Sequence, residues 1–205
     1  MAVINDRNMT KLVSEACAVK GDFAEIGVFK GHTFKRLSLL ALALGRVAHG
    51  FDSFEGMAPP TERDAGHYPA GKLSIGGVEN FRKIMVDGNV PDVAYRLHAG
   101  FIPTCFTTYD DAVPLSFALV DVDQFEPTLE GLRWAWPRLN YGGVLVCDDY
   151  FPGRSILASG AIDEWMRSLS PTNFEVIGYE ETQLFIRKTM TTSLTTPYAA
   201  SILRN

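Results

Sequence analysis

"LSFALVDVD", at residues 115–123, and "GGVLVCDD", at 142–149, are nearly unbroken apolar runs that each end in two carboxylates. A strand that is apolar throughout must be covered on both faces, which is the situation in a sheet sandwiched between helices. Segments of helical spacing lie between the strand-like runs. Thr33 to Leu44 predicts a helix closed by Gly45, as do Val78 to Val86, Thr128 to Arg138 and Gly160 to Leu169. Shorter strands are expected at Phe23 to Ile26, in "VAHGFDSF" and in "VAYRLHAG". Strands that alternate with helices imply a doubly wound, mostly parallel α/β sheet. The last two strands, near 174–179 and 183–187, are separated only by "EET" and must pair as an antiparallel hairpin.

One domain over residues 1–188 accommodates these elements, with a helix over 9–19 carrying Met9, Leu12, Val13 and Ala16 on one face. Residues 56–77, "GMAPPTERDAGHYPAGKLSIGG", lack periodicity and form a loop long enough to suggest a lid. The Thr/Ser-rich tail, 189–205, is expected to be flexible or to contact another subunit. The net charge of −5 gives no reason to expect nucleic acid or an anionic membrane as partner. The longest apolar stretch, Leu37 to Leu44, is too short to span a bilayer. Cys17, Cys105 and Cys147 have no metal-type spacing, and the N-terminus lacks a signal-peptide layout. Both points predict a reduced, cytoplasmic setting.

"EIGVFKG" puts Glu25, Gly27 and Gly31 at the first strand-to-helix turn, where open α/β sheets bind ligands. A carboxylate replaces the first glycine of G-x-G-x-x-G. This argues against a dinucleotide phosphate and an NAD-dependent oxidoreductase, and suits a ligand with an ammonium group. The alternative is a tight turn without a ligand. Asp52, at the end of the second strand, suits ribose hydroxyls, although Asp before Ser is also a helix cap. Asp121, Asp123, Asp148 and Asp149 end two strands that are plausible neighbours, and carboxylates converging there repel unless protonated or cation-bound. An oxygen-only donor set suits Mg²⁺, with Ca²⁺ or Mn²⁺ as substitutes. The competing reading makes the pair at 148–149 capping or solvated residues. His49 and His98 fall within strand patterns and are expected to be packed, whereas His32 sits in the glycine turn and either touches a ligand or caps. His67, in the polar loop, is either solvated or a general base brought in as the loop closes.

The runs "GDFAEIGVFKGHTF", "GFDSFEGM", "LHAGFIPT", "ALVDVDQFEPTLEGL" and "YGGVLVCDDY" follow one another between residues 21 and 188. In these residues the chain resembles class I S-adenosylmethionine-dependent methyltransferases, and more narrowly the macrocin O-methyltransferase (TylF/MycF/NovP-type) family of antibiotic biosynthesis. The resemblance implies a Rossmann-like sheet of seven strands with the last antiparallel. It implies that Glu25, Gly27 and Gly31 surround the methionine part of S-adenosylmethionine, that Asp52 holds its ribose, and that Ser53, Gly100, Phe101 and Asp121 also contact this cofactor. It further implies that Asp121, Asp148 and Asp149 hold Mg²⁺, which chelates a vicinal diol of a small hydroxylated acceptor such as a sugar. Asp121 or His67 would then be the base, and a homo-oligomer is expected. A catechol or phenol acceptor would use the same metal logic, and a non-catalytic cofactor-binding subunit would not need the four acids. "VFKGHT" departs from the aromatic-arginine-glycine run common in such relatives, and the N-terminus is shorter than in longer ones.

Overall fold

The computed structural model describes residues 18–190. The helix expected over 9–19 lies almost wholly outside them, as does nearly all of the tail. Seven strands form: β1 (Asp22–Ile26), β2 (Ala48–Asp52), β3 (Tyr95–Ala99), β4 (Leu115–Val120), β5 (Leu139–Cys147), β6 (Phe174–Glu180) and β7 (Gln183–Lys188). They make one sheet in the order β3-β2-β1-β4-β5-β7-β6. Neighbours among β1 to β5 are parallel, and β7 runs antiparallel to both β5 and β6. The fold is therefore the class I methyltransferase-like, doubly wound sheet, closed by the expected hairpin.

Among the described residues, four helices cover the sheet: α1 (His32–Ala43), α2 (Val78–Asp87), α3 (Phe125–Arg138) and α4 (Leu157–Ser168). In α1 the buried residues Phe34, Leu37, Ser38 and Ala41 recur at helical spacing, and the Ser38 hydroxyl donates to the Phe34 carbonyl at 2.7 Å. With Phe81 and Met85 of α2 they pack on Phe23, Phe117, Val144 and Val146 of the sheet. The opposite face of the same strands, Ala24, Ile26, Ala118, Val120 and Leu145, packs on Leu129 and Leu132 of α3 and on Ala161 and Trp165 of α4. β4 is buried along its whole length, as its composition requires. Two helices begin three residues earlier than expected, α3 at Phe125 and α4 at Leu157. In α3 the first turn contains Pro127, whose missing N–H is one that a helix start leaves unpaired in any case. Among the described residues, no helix is long and apolar enough to cross a membrane.

The register prepares the site. Ile26 lies beside Phe51 and Val120, Val120 beside Cys147, and Asp52 beside Ala99. The residues that follow these strand ends, Gly27, Asp121, Asp148 and Gly100, therefore emerge along one edge. The strand order reverses between β1 and β4, the switch point where such sheets open a crevice.

Candidate active site

A cavity of about 410 Å³ opens at that switch point. Its wall includes Glu25, Gly27, Gly31, Asp52, Ser53, Gly100, Phe101, Asp121, Asp148 and Asp149. Every cofactor and metal residue expected from the sequence thus lines one space. His32 lines it as well, whereas His67 does not.

Glu25 is 3% exposed, and its Oε2 has no hydrogen-bond partner. Burial, reinforced by the charge of Asp52, holds its carboxyl well above the usual range. A buried acid with an orphaned oxygen facing a cavity fits a cationic ligand group. Asp52 behaves differently. Its Oδ2 accepts from the amides of Val28 and Phe29 at 2.8 and 2.9 Å, and its Oδ1 from that of Phe54 at 2.7 Å. An ionised carboxylate has about four acceptor positions, so one remains for a ligand hydroxyl.

The glycines are used differently from the sequence expectation. Gly27 has φ 91°, and a Cβ there would stand 1.8 Å from the Asp121 carbonyl oxygen. At Gly31, φ 70°, a Cβ would stand 2.8 Å from the Phe81 ring. Both residues line the cavity, but the space left by the absent side chains is taken by the protein itself. Gly27 lets the turn after β1 lie against the turn after β4, and so brings the Glu25 end of the cavity next to the acids.

Ligand oxygens of Asp121, Asp123 and Asp149 lie within 4.8 Å of one another. Burial raises the Asp121 carboxyl well above its usual range, with Asp148, Asp123 and Asp149 adding to the effect. Asp123 is pushed up to about 7 by burial and then by its hydrogen bond to and charge from Asp149. Asp148 is also raised, by burial and by Asp149, and the Thr182 hydroxyl donates to its Oδ1 at 3.3 Å. The trio is therefore Asp121, Asp123 and Asp149, with Asp148 alongside. Asp123 and Asp149 both have left-handed backbone, φ 57° and 55°, uncommon for a residue with a side chain. These hard oxygen donors fit a divalent cation of the Mg²⁺ type, which would relieve the repulsion that raises the carboxyls.

The polar segment 56–77 forms the roof, and Met57, Ala58, Tyr68, Lys72 and Leu73 line the cavity from it. The His67 amide donates to the Asp64 carbonyl at 2.9 Å, and its ring stays exposed. The next residue, Tyr68, has φ 58°, which turns its side chain inward. Its phenol lines the cavity with Asp123 and is raised by burial and by that acid. The sequence pattern favoured His67 because imidazole titrates near neutrality. Only the backbone conformation distinguishes it from its neighbour. His49 and His98 are packed as expected, 3.0 Å apart and buried.

Residues 24–150, more than half of the chain, match the model of a family described as a methyltransferase domain. No curated protein matches the chain. Similar solved structures include the O-methyltransferase NovP, at 21% identity and TM-score 0.77 over 90% of this chain and 79% of that one. The calicheamicin methyltransferase CalS11 is 17% identical, with TM-score 0.68 over 90% of this chain and 80% of its own. The O-methyltransferase TomG from Streptomyces achromogenes, involved in tomaymycin synthesis and solved in complex with SAM, is 14% identical. Its TM-score is 0.62 over 92% of this chain and 82% of its own. At these identities the likeness is one of fold, and it agrees with the family match. The chain belongs to the methyltransferase-domain family.

Proposed function

We propose that this protein is an S-adenosylmethionine-dependent O-methyltransferase of the macrocin type, assisted by Mg²⁺ and acting on a vicinal diol of a sugar-like natural product. The observation that carries the reading is one cavity with two acidic ends. An orphaned, buried Glu25 stands at the first, and the Asp121, Asp123 and Asp149 trio at the second. A single ligand cation would leave one end uncompensated. A sulfonium cofactor with an ammonium group, together with a divalent metal, matches both. That NovP is an O-methyltransferase and CalS11 a TDP-rhamnose 3'-O-methyltransferase favours a sugar acceptor.

Glu25 would hold the ammonium group, Asp52 the ribose, and Gly100 and Phe101 the far end of the cofactor. The trio, with Asp148 beside it, would hold Mg²⁺. The cofactor supplies an electrophilic methyl group, and the metal supplies acidity to a bound hydroxyl. The chain's own residues do the rest. The roof excludes water, and the acids orient the diol. Asp123 or Asp121 would accept the hydroxyl proton as the oxygen bonds to the methyl carbon and the carbon–sulfur bond breaks, leaving S-adenosylhomocysteine. Asp123 is favoured of the two, because among the acids it acts most strongly on the Tyr68 phenol of the roof. An exposed His67 would reach the acceptor only if the roof rearranged.

Calorimetry tests the cofactor: S-adenosylmethionine should bind and NADH should not, and the reverse result ends the methyltransferase reading. Turnover assayed on a panel of sugar diols and catechols identifies the acceptor class. An Asp148→Asn, Asp149→Asn double variant that keeps full methyl transfer in EDTA would remove the metal from the mechanism. The His67→Ala variant should keep full turnover at every pH, and reduced turnover with a lost acidic limb would restore the loop base.

A further inference from the structure

The polar roof contains a carboxylate that is out of character for a surface loop. Asp64, in the short 3₁₀ turn Glu62–Asp64, is 1% exposed. Burying a carboxylate is costly unless it is well hydrogen-bonded, and both oxygens of Asp64 are. Its Oδ2 accepts from the Thr61 amide at 2.7 Å and the Thr61 hydroxyl at 3.0 Å. Its Oδ1 accepts from the Phe125 amide, 61 residues away, at 2.7 Å. Phe125 is the first residue of α3, so Asp64 satisfies one of the unpaired amides at that helix start and adds a negative charge where the helix dipole favours it.

The partner matters more than the cap. Phe125 directly follows the turn that bears Asp121 and Asp123. A second tie joins the same two segments: buried Gln124 donates through Nε2 to the Ala58 carbonyl at 2.9 Å. Between them, the Arg63 guanidinium lies 3.6 Å over the Phe125 ring and pairs with Glu164 of α4 at 3.2 Å. The roof is therefore fastened to the wall that carries the acids. From Asp64 the chain turns through the His67 amide bond and the left-handed Tyr68 to place the phenol in the cavity that the trio lines.

We propose that Asp64 is a positioning residue: by latching the 57–75 segment to the turn between β4 and α3, it holds Tyr68 against the acid trio and so aims the Asp123 carboxylate at the acceptor. The role of the trio rests on the methyltransferase reading; the latch rests on the hydrogen bonds alone. Asp64 itself touches neither acceptor nor cofactor.

Two readouts test the latch without turnover, both on the full chain with S-adenosylhomocysteine present. The first is amide hydrogen exchange. In Asp64→Ala, residues 57–75 and the Phe125 amide should lose protection, while β1, β4 and β5 keep theirs. The second is terbium luminescence. Tb³⁺ at the trio should be sensitised by Tyr68, so Tyr68→Phe loses most of the emission. Asp64→Ala should fall nearly to that level while retaining terbium affinity, because the three carboxylates remain. Adding Asp64→Ala to Tyr68→Phe should cause no further loss, a non-additivity that a general loss of stability would not produce. If Asp64→Ala fails to fold, Asp64→Asn serves instead. Its carbonyl can still accept from Phe125, but its amide opposes the Thr61 N–H, so intermediate exchange and emission are expected. Wild-type protection over 57–75, or wild-type emission, in a folded Asp64 variant overturns the proposal. Absence of terbium binding to the wild type would strike the metal reading and leave the exchange result to decide the latch.

Discussion

On the α3 face of the sheet, Asp22, His49, His98 and Thr108 form a continuous chain of hydrogen bonds. Off the ends of β4 and β5, Asp121, Asp123 and Asp149 crowd like charges together. In the first region every link has a complement. Asp22 accepts from the Val47 amide at 3.2 Å and bonds His49 at 3.1 Å; His49 bonds His98 at 3.0 Å; and His98 bonds the Thr108 hydroxyl at 2.7 Å. Phe51 stacks on His98 and Tyr109 edges onto His49, so aromatic rings flank the two imidazoles at its centre. In the second region burial and mutual repulsion raise the carboxyls instead. Both regions contain buried titratable groups, so burial alone does not distinguish them. The first has its complement within the protein and is structural. The second lacks one, as expected of groups arranged for something that binds.

The largest effect expected from testing this contrast is on chemistry. Asp123→Asn together with Asp149→Asn should cut methyl transfer by about 10³-fold. The same double variant should raise the melting temperature of the metal-free protein, because two like charges are gone. A lower melting temperature would break the repulsion account.

His49→Leu probes the other side. It leaves Asp22 and His98 each short of a partner and should cost about 2–4 kcal/mol, read from the denaturant midpoint. S-adenosylmethionine affinity should be retained, and a large loss would mean that the chain serves the cavity too.

The two regions should also answer acid with opposite signs. Burial, and then the neighbouring His49, lowers the His98 pKa to about 4 from an ordinary 6.5. Its contribution is fully present above 6.5 and lost as pH falls toward 4, on the order of 2 kcal/mol. Asp123, raised to about 7 from 3.8, does the reverse: its contribution is fully present below 3.8 and lost as pH rises through 7. In EDTA the two trends should partly cancel in urea midpoints taken between pH 4 and 7. Saturating Mg²⁺ should suppress the Asp123 trend and expose the His98 loss. A profile that Mg²⁺ does not change would show that the trio is not where the cation sits.

The smallest effect is a baseline. Glu79→Ala removes the exposed Glu79–Arg82 pair on α2 and should change stability by no more than about 0.5 kcal/mol.

How far the sequence foretold this arrangement depended on whether the signal was local. Strands ending in acids were legible because apolar continuity and the carboxylates that follow lie in one short run. The terminal hairpin was legible because three residues cannot make a crossover. The glycine turn was found, but the reason for Gly27 was not, since its neighbour is Asp121 on a strand distant in sequence. Asp123 stood among the candidate acids. Its place in the trio, rather than that of Asp148, goes with left-handed backbone at 123 and 149, while Asp148 accepts from the Thr182 hydroxyl. Tyr68 had no sequence signal, and for Asp64 the T-x-x-D run at 61–64 marked only a local cap. One is selected by a single positive φ, the other by a helix start 61 residues away.

The strand order has a consequence for how the chain is made. During synthesis β1, β2 and β3 emerge first and pair in the order 3-2-1, but β1 is completed on its other side only by β4, Leu115–Val120. Until then a central strand bearing Phe23, Ala24 and Ile26 has an open edge, the kind of surface that recruits other chains. The three acids come together later still, when β5 docks on β4 and Asp149 arrives. Cation affinity should therefore appear only once β5 has docked, which would make the metal ligand set a natural reporter of the completed parallel half of the sheet.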